Sequence, residues 1–128
     1  MNPIVLVCVM VLGLLLFVLG IAVSVTRLRS GMLSGNVAEP TNRLNKLVRA
    51  HANTAEYAPF LAVLFLYHGA HDPSASTIGW IIAATVSRCL LVISLLAWPT
   101  MGKANPLRFI GGTGTYICGI ALCTALLR

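Results

Sequence analysis

The chain has 128 residues, 58% of them hydrophobic and only 9% charged, where an ordinary soluble domain carries about 25% charged residues. With a mean hydropathy of +0.89, that balance excludes an ordinary soluble domain and points to one integral membrane domain over residues 1–128. The formal charge of +6 would suit nucleic acid, but the basic residues are dispersed between apolar segments, so membrane topology explains them and no nucleic-acid partner is expected.

The first apolar run, Ile4–Val25, is long enough to span a bilayer, which takes about 20 residues. No basic residue precedes it, and Arg27 and Arg29 follow it directly. That order predicts a retained first helix and not a cleaved signal peptide. A polar connection with Gly, Pro and Asn breakers leads to the second stretch, Leu44–His68. HGAHDPSAS then turns the chain into a third span, Thr77–Trp98. WPTMGKANP breaks that span before a fourth, Pro106–Leu127.

The fold expected is therefore an all-α integral membrane protein, a bundle of four transmembrane helices. Trp80 and Trp98 lie about 27 Å apart along a helix rising 1.5 Å per residue, the separation of two interfacial girdles. Arg27, Arg29, Arg43 and Lys46 occupy the first connection, and Lys103 and Arg108 the third. The second connection carries only Asp72. The positive-inside rule then puts the first and third loops in the cytoplasm and both termini outside, with Arg128 a minor exception. A bacterial inner membrane or an endoplasmic reticulum-type membrane fits equally.

Cys8, Cys89, Cys118 and Cys123 all fall in apolar segments, with no CxxC pair and no His at metal-ligand spacing. They are expected to be reduced packing residues, without a metal site. Gly111, Thr115 and Gly119 form a small-residue stripe suited to close helix packing, and Gly13 and Gly20 are expected to serve the first span in the same way.

The second span is the informative one. RAHANTAEYAPF, residues 49–60, places ionisable and amide groups at bilayer depth. At about 100° per residue, Arg49, Asn53 and Glu56 point within roughly 60° of one another. Tyr57 extends that stripe, and His51 points the other way. Buried charges cost several kcal/mol each unless paired, so ionisable residues in a span mark a functional site by default. Arg88, in the middle of the third span, is the expected partner of Glu56. A plain interhelical salt-bridge network is the competing structural explanation. Pro59 is expected to bend the helix just beyond the polar face.

NPLR at 105–108 reads as an Asn N-cap with Pro at the first helical position. Arg108 then stands in the first turn, where the macrodipole disfavours a cation. An anion bound by free backbone N–H groups would make sense of it; snorkelling to the headgroups is the alternative. His68 and His71 are expected as polar residues at a loop edge.

RAHANTAEY closely resembles the second-helix signature of the MAPEG family, the membrane-associated proteins in eicosanoid and glutathione metabolism. That signature, R-A-x-x-N-x-x-E followed by Tyr and a nearby Pro, is met by Arg49, Ala50, Asn53, Glu56, Tyr57 and Pro59. The resemblance extends over the whole chain through its length, its four spans and its basic first loop. It implies a homotrimer with glutathione as co-substrate between neighbouring subunits, held by Arg49, Asn53, Glu56 and Tyr57. Arg88 resembles the family's third-helix arginine. Arg27 or Arg29 resembles the basic residue ending helix one, near the same pocket. Arg108 resembles the arginine that stabilises the glutathione thiolate, which makes it the catalytic candidate.

The activity implied is a detoxifying glutathione transferase or peroxidase acting on lipophilic electrophiles or lipid hydroperoxides. The chain departs from strongly active members at Leu91 and Leu95, where tyrosines are usual. The alternative is a non-catalytic, lipid-binding scaffold resembling 5-lipoxygenase-activating protein. A small drug/proton antiporter would need a carboxylate in its first span, and Ile4–Val25 contains none.

Overall fold

In the computed structural model of the chain, which describes residues 1–127, an Asn or Ser opens each of four helices. Asn2 accepts from the Ile4 amide at 2.9 Å, ahead of α1, Pro3–Ser30. Asn42 caps α2, Arg43–Ala70, through the amides of Leu44 and Asn45. Ser74 caps α3, Ala75–Ala97, and Asn105 caps α4, Pro106–Ala125. Each side chain satisfies amides that have no partner inside the helix. Helix α1 stops at Gly31, whose φ of 69° is the left-handed conformation that glycine adopts without steric cost.

All four apolar runs are helices. Helix α1 continues five residues past the expected span, carrying Arg27 and Arg29 with it, and α2 runs on through Pro59 without interruption. Arg128 lies outside the described residues.

The helices run up and down. The Asn2 amide donates to the Gly69 carbonyl at 3.3 Å, joining the start of α1 to the end of α2. At the opposite end, Lys46 Nζ donates to the carbonyls of Trp98 and Pro99 at 2.6 and 3.0 Å, so a single ammonium ties α2 to the chain leaving α3. Helix α3 packs most closely on α4, and α1 on α2, whereas α2 and α4 scarcely approach each other.

Small residues explain the α3–α4 contact. A Cβ added at Gly111 would lie 2.7 Å from the Leu91 amide nitrogen and 2.8 Å from the Ser87 carbonyl oxygen. Only glycine permits that approach. The stripe expectation therefore holds at Gly111 and at the buried Thr115, while Gly119 faces Leu61 of α2 across ordinary contact distance. In α1, Gly20 makes room for the His51 ring, and Gly13 has open space around it.

Two apolar clusters fill the bundle. One gathers Val5, Leu12, Phe65, Ile81 and Leu122. The other gathers Leu19, Leu47, Leu91 and Leu95 near the opposite end. His68 corrects its expectation as a loop-edge residue. Because α2 continues to Ala70, His68 is carried under α4, where it is 7% exposed with its Nε2 3.0 Å from the Leu122 carbonyl oxygen.

Helices α1 and α3 are long and apolar enough to cross a membrane. Phe17, Val18 and Ile21 on α1 and Phe109, Ile117 and Ile120 on α4 stand exposed, an outward apolar surface that lipid or another apolar helix would cover.

Candidate functional site between α2 and α4

Because α2 and α4 diverge, a cavity of about 880 Å³ opens between them at the end where α3 connects to α4. That volume is within the range of small-molecule sites. Arg49 and Asn53 line it from α2, Leu91 from α3, and Arg108, Thr113 and Tyr116 from α4. Lys103 and Asn105 line it from the connection. Three cations and no carboxylate thus surround one space. Such walls suit an anion, and guanidinium groups suit a carboxylate in particular.

The polar groups at this site are only partly engaged. The Asn53 side-chain oxygen is buried and has no hydrogen-bond partner. A buried acceptor left unpaired costs about 1–3 kcal/mol, so its presence calls for an explanation. Arg108 donates from Nη1 to the Met101 carbonyl at 3.3 Å, which anchors the guanidinium beside the connection. Met101 is held in turn by its amide, which donates to the Pro40 carbonyl at 3.1 Å.

The α4 N-terminus corrects the sequence reading. Asn105 does cap it, and Pro106 follows as expected. However, the Asn105 oxygen already accepts from the amides of Leu107 and Arg108 at 3.0 and 3.4 Å, and the Phe109 amide donates to the Asn105 carbonyl. Those amides are not free for an anion. What the helix start offers a ligand is therefore the Arg108 side chain and the macrodipole. The Asn105 amide nitrogen also donates to the Ser94 carbonyl at 3.2 Å, which fixes the end of α3 to the start of α4.

Arg88 and Glu56 do not pair; among the described residues no ion pair forms. Glu56 is exposed on the outer side of α2. Arg88 is 1% exposed, with its Nη2 3.4 Å from Thr54 Oγ1 and its Nε unpartnered. Its guanidinium carbon lies 5.4 Å from the centre of the Tyr57 ring, an arrangement in which the aromatic face supplies part of the lost solvation. Arg88 thus sits behind Tyr57 and outside the lining of the cavity.

Arg27 and Arg29 are likewise apart from Arg49 within one chain. Arg27 lines a separate groove between α1 and α2 together with Phe17, Ser24 and His51, and donates to the Gly35 carbonyl at 3.0 Å. Arg29 is exposed. The structure therefore brings Arg49, Asn53 and Arg108 together and leaves Glu56, Arg88, Arg27 and Arg29 elsewhere.

Sequence reasoning missed Tyr116 and gave Lys103 only a topological role. Tyr116 lies 59 positions from Tyr57, so nothing in the local pattern links them. Yet their ring centres are 5.6 Å apart. Tyr116 also lines a second, apolar groove of about 390 Å³ further along the same α2–α4 cleft.

The fold and the site together define an all-α, four-helix protein with apolar outer faces and a basic, anion-suited cavity. The chain matches the model of the MAPEG family over residues 5–128 and belongs to that family. No curated protein and no solved structure matches it.

Proposed function

We propose that the chain is a membrane-embedded glutathione transferase or peroxidase that holds glutathione as its thiolate for attack on lipophilic electrophiles or lipid hydroperoxides. The observation that carries this reading is the convergence of Arg49, Asn53 and Arg108 on one cavity. Glutathione carries two carboxylates, an ammonium, two peptide groups and a thiol. Arg49 and Lys103 suit the carboxylates, and Asn53 accepts from a peptide N–H that would end its isolation.

A free thiol has a pKa of about 8.5, and only its thiolate attacks. Each tenfold gain of thiolate at neutral pH takes about 1.4 kcal/mol of preferential stabilisation. Arg108, anchored by Met101 at the positive end of α4, is the group that supplies it.

The site is incomplete within one chain, because nothing there meets the glutathione ammonium. Glu56 is exposed, and so is Arg29 at the end of α1. A homotrimer in which neighbouring copies bring these groups to the cavity completes the set, with Arg27 and Arg88 supporting it. In this reading all four helices cross the membrane, and the cavity opens on the cytoplasmic side, where the basic connections lie.

A second reading has its own support. Leu91 is on the cavity wall, where strongly active relatives carry a tyrosine, and an apolar wall suits a scaffold that presents a lipid without turnover. An ultraviolet difference spectrum of purified protein titrated with glutathione at neutral pH separates the two. A saturable thiolate band supports the transferase. Saturable binding in calorimetry without the band supports the scaffold, and no glutathione binding at all overturns the transferase and favours the lipid-binding scaffold.

A further inference from the structure

The α2–α4 cleft has two compartments of opposite character. The basic cavity occupies one end. The other is the apolar groove, with Phe60 and Leu64 on its α2 side and Gly119 and Ile120 on its α4 side. Tyr116 lines both, and Tyr57 stands opposite it on the groove side. The two hydroxyl oxygens are 3.4 Å apart, longer than the 2.5–3.0 Å of an ordinary O–H···O bond. Tyr57 is the donor in that long contact, so the Tyr116 proton remains free for a third oxygen placed beside the pair. Arg88 behind the Tyr57 ring and the tilted 54° contact between the rings hold the pair in position.

Resting on the glutathione reading of the basic cavity, we infer that Tyr116 is the proton donor to the second substrate, and that the α2–α4 groove of the same chain holds that substrate's hydrocarbon tail. Continuity argues for this occupant, since a molecule seated in the groove places its polar head at Tyr116, beside the cavity that holds the sulfur. The head must be an oxygen that gains negative charge during the reaction. A hydrophobic α,β-unsaturated aldehyde or ketone meets both needs. The thiolate sulfur forms a bond to the β-carbon, and the C=C electron pair shifts to leave an enolate. The enolate oxygen takes the phenolic proton of Tyr116. The resulting phenolate recovers from solvent the proton that glutathione released, so the sum is simple addition with no net oxidation. Leu91, on the wall of the cavity, has no proton to give, which leaves this duty to α4.

The test uses the full chain in lipid nanodiscs with glutathione and a series of 2-alkenals from six to nine carbons. Tyr116→Phe should lower kcat for 2-nonenal by about 10²-fold, the loss typical when one donor to a developing oxyanion is removed, while the thiolate band persists. Gly119→Leu fills the groove, because the nearest atom to a Cβ at that site is a Leu61 methyl at 3.9 Å. It should raise KM for 2-nonenal about tenfold and leave 2-hexenal closer to the parent. Parent-like turnover by Tyr116→Phe with the band intact overturns the donor role alone. Altered oligomer mass in Gly119→Leu with unchanged KM overturns the tail assignment and makes the groove a contact between copies. A parent without the band overturns the glutathione reading, and this inference with it.

Discussion

Arg88 reaches from the middle of α3 to Thr54 of α2, its Nη2 3.4 Å from an Oγ1 that itself donates to the Ala50 carbonyl at 2.8 Å. A fully buried guanidinium thus rests on one long hydrogen bond and one aromatic face. Replacing such a cation with an apolar side chain of similar length is often neutral or stabilising by about 1–4 kcal/mol. Arg88→Met should therefore keep or raise the thermal midpoint in detergent. Arg88→Ala should lose about 2–4 kcal/mol by opening a void. Thr54→Val should lose about 1–3 kcal/mol, because the guanidinium is then left without an acceptor. A sharp loss of stability in Arg88→Met would show that the cation is stabilised by more than these two contacts.

Gly111 sets how closely α3 and α4 approach. Its α3 neighbours are backbone atoms, which cannot swing aside as a side chain does. Gly111→Ala should destabilise the bundle by about 1–3 kcal/mol. Gly13→Ala, with nothing within 4 Å of the added carbon, should be neutral or gain up to about 1 kcal/mol from helix propensity. Thermal unfolding followed by circular dichroism gives the comparison, and equal midpoints for the two variants would refute it.

The cavity residues, and Glu56 as a group that a neighbouring copy would bring to the cavity, divide by task. Arg49→Ala and Glu56→Ala should abolish detectable glutathione binding in calorimetry. Arg108→Ala should bind and yet show no thiolate band. Asn53→Leu should weaken binding by about tenfold, the equivalent of the roughly 1.4 kcal/mol that one hydrogen bond to a buried acceptor contributes. Three variants at Arg49, Glu56 and Arg108 that all bind like the parent would show the site to be elsewhere.

Asn105 joins two helices, capping α4 and tying it to Ser94 of α3. Asn105→Ala should cost about 1–2 kcal/mol through the lost cap, with the Ser94 carbonyl left unpaired. Asn105→Asp keeps the capping oxygen and loses only the donor, so it should be the milder change. If the two variants melt together, the tether to Ser94 and not the cap carries the stability.

The sequence by itself determined the four helices, because long, largely apolar stretches bounded by Gly, Pro and Asn admit little else. It also determined the polar face of α2, since Arg49, Asn53 and Glu56 are related by helical period alone. The N-cap at Asn105 was legible for the same reason; caps are local.

What local pattern could not decide is which side chains meet across helices. Glu56 and Arg88 looked complementary by charge, but the rotation of α2 leaves Glu56 outside and puts Thr54 and Tyr57 against Arg88. Tyr116 drew no notice in a helix of glycines and threonines. Its place beside Tyr57 follows from Gly111, which pulls α4 onto α3 and lets it diverge from α2, so that the cleft opens between α2 and α4. Periodicity fixes the faces of single helices, whereas contact between faces depends on the close packing of all four, and only the tertiary structure decides that.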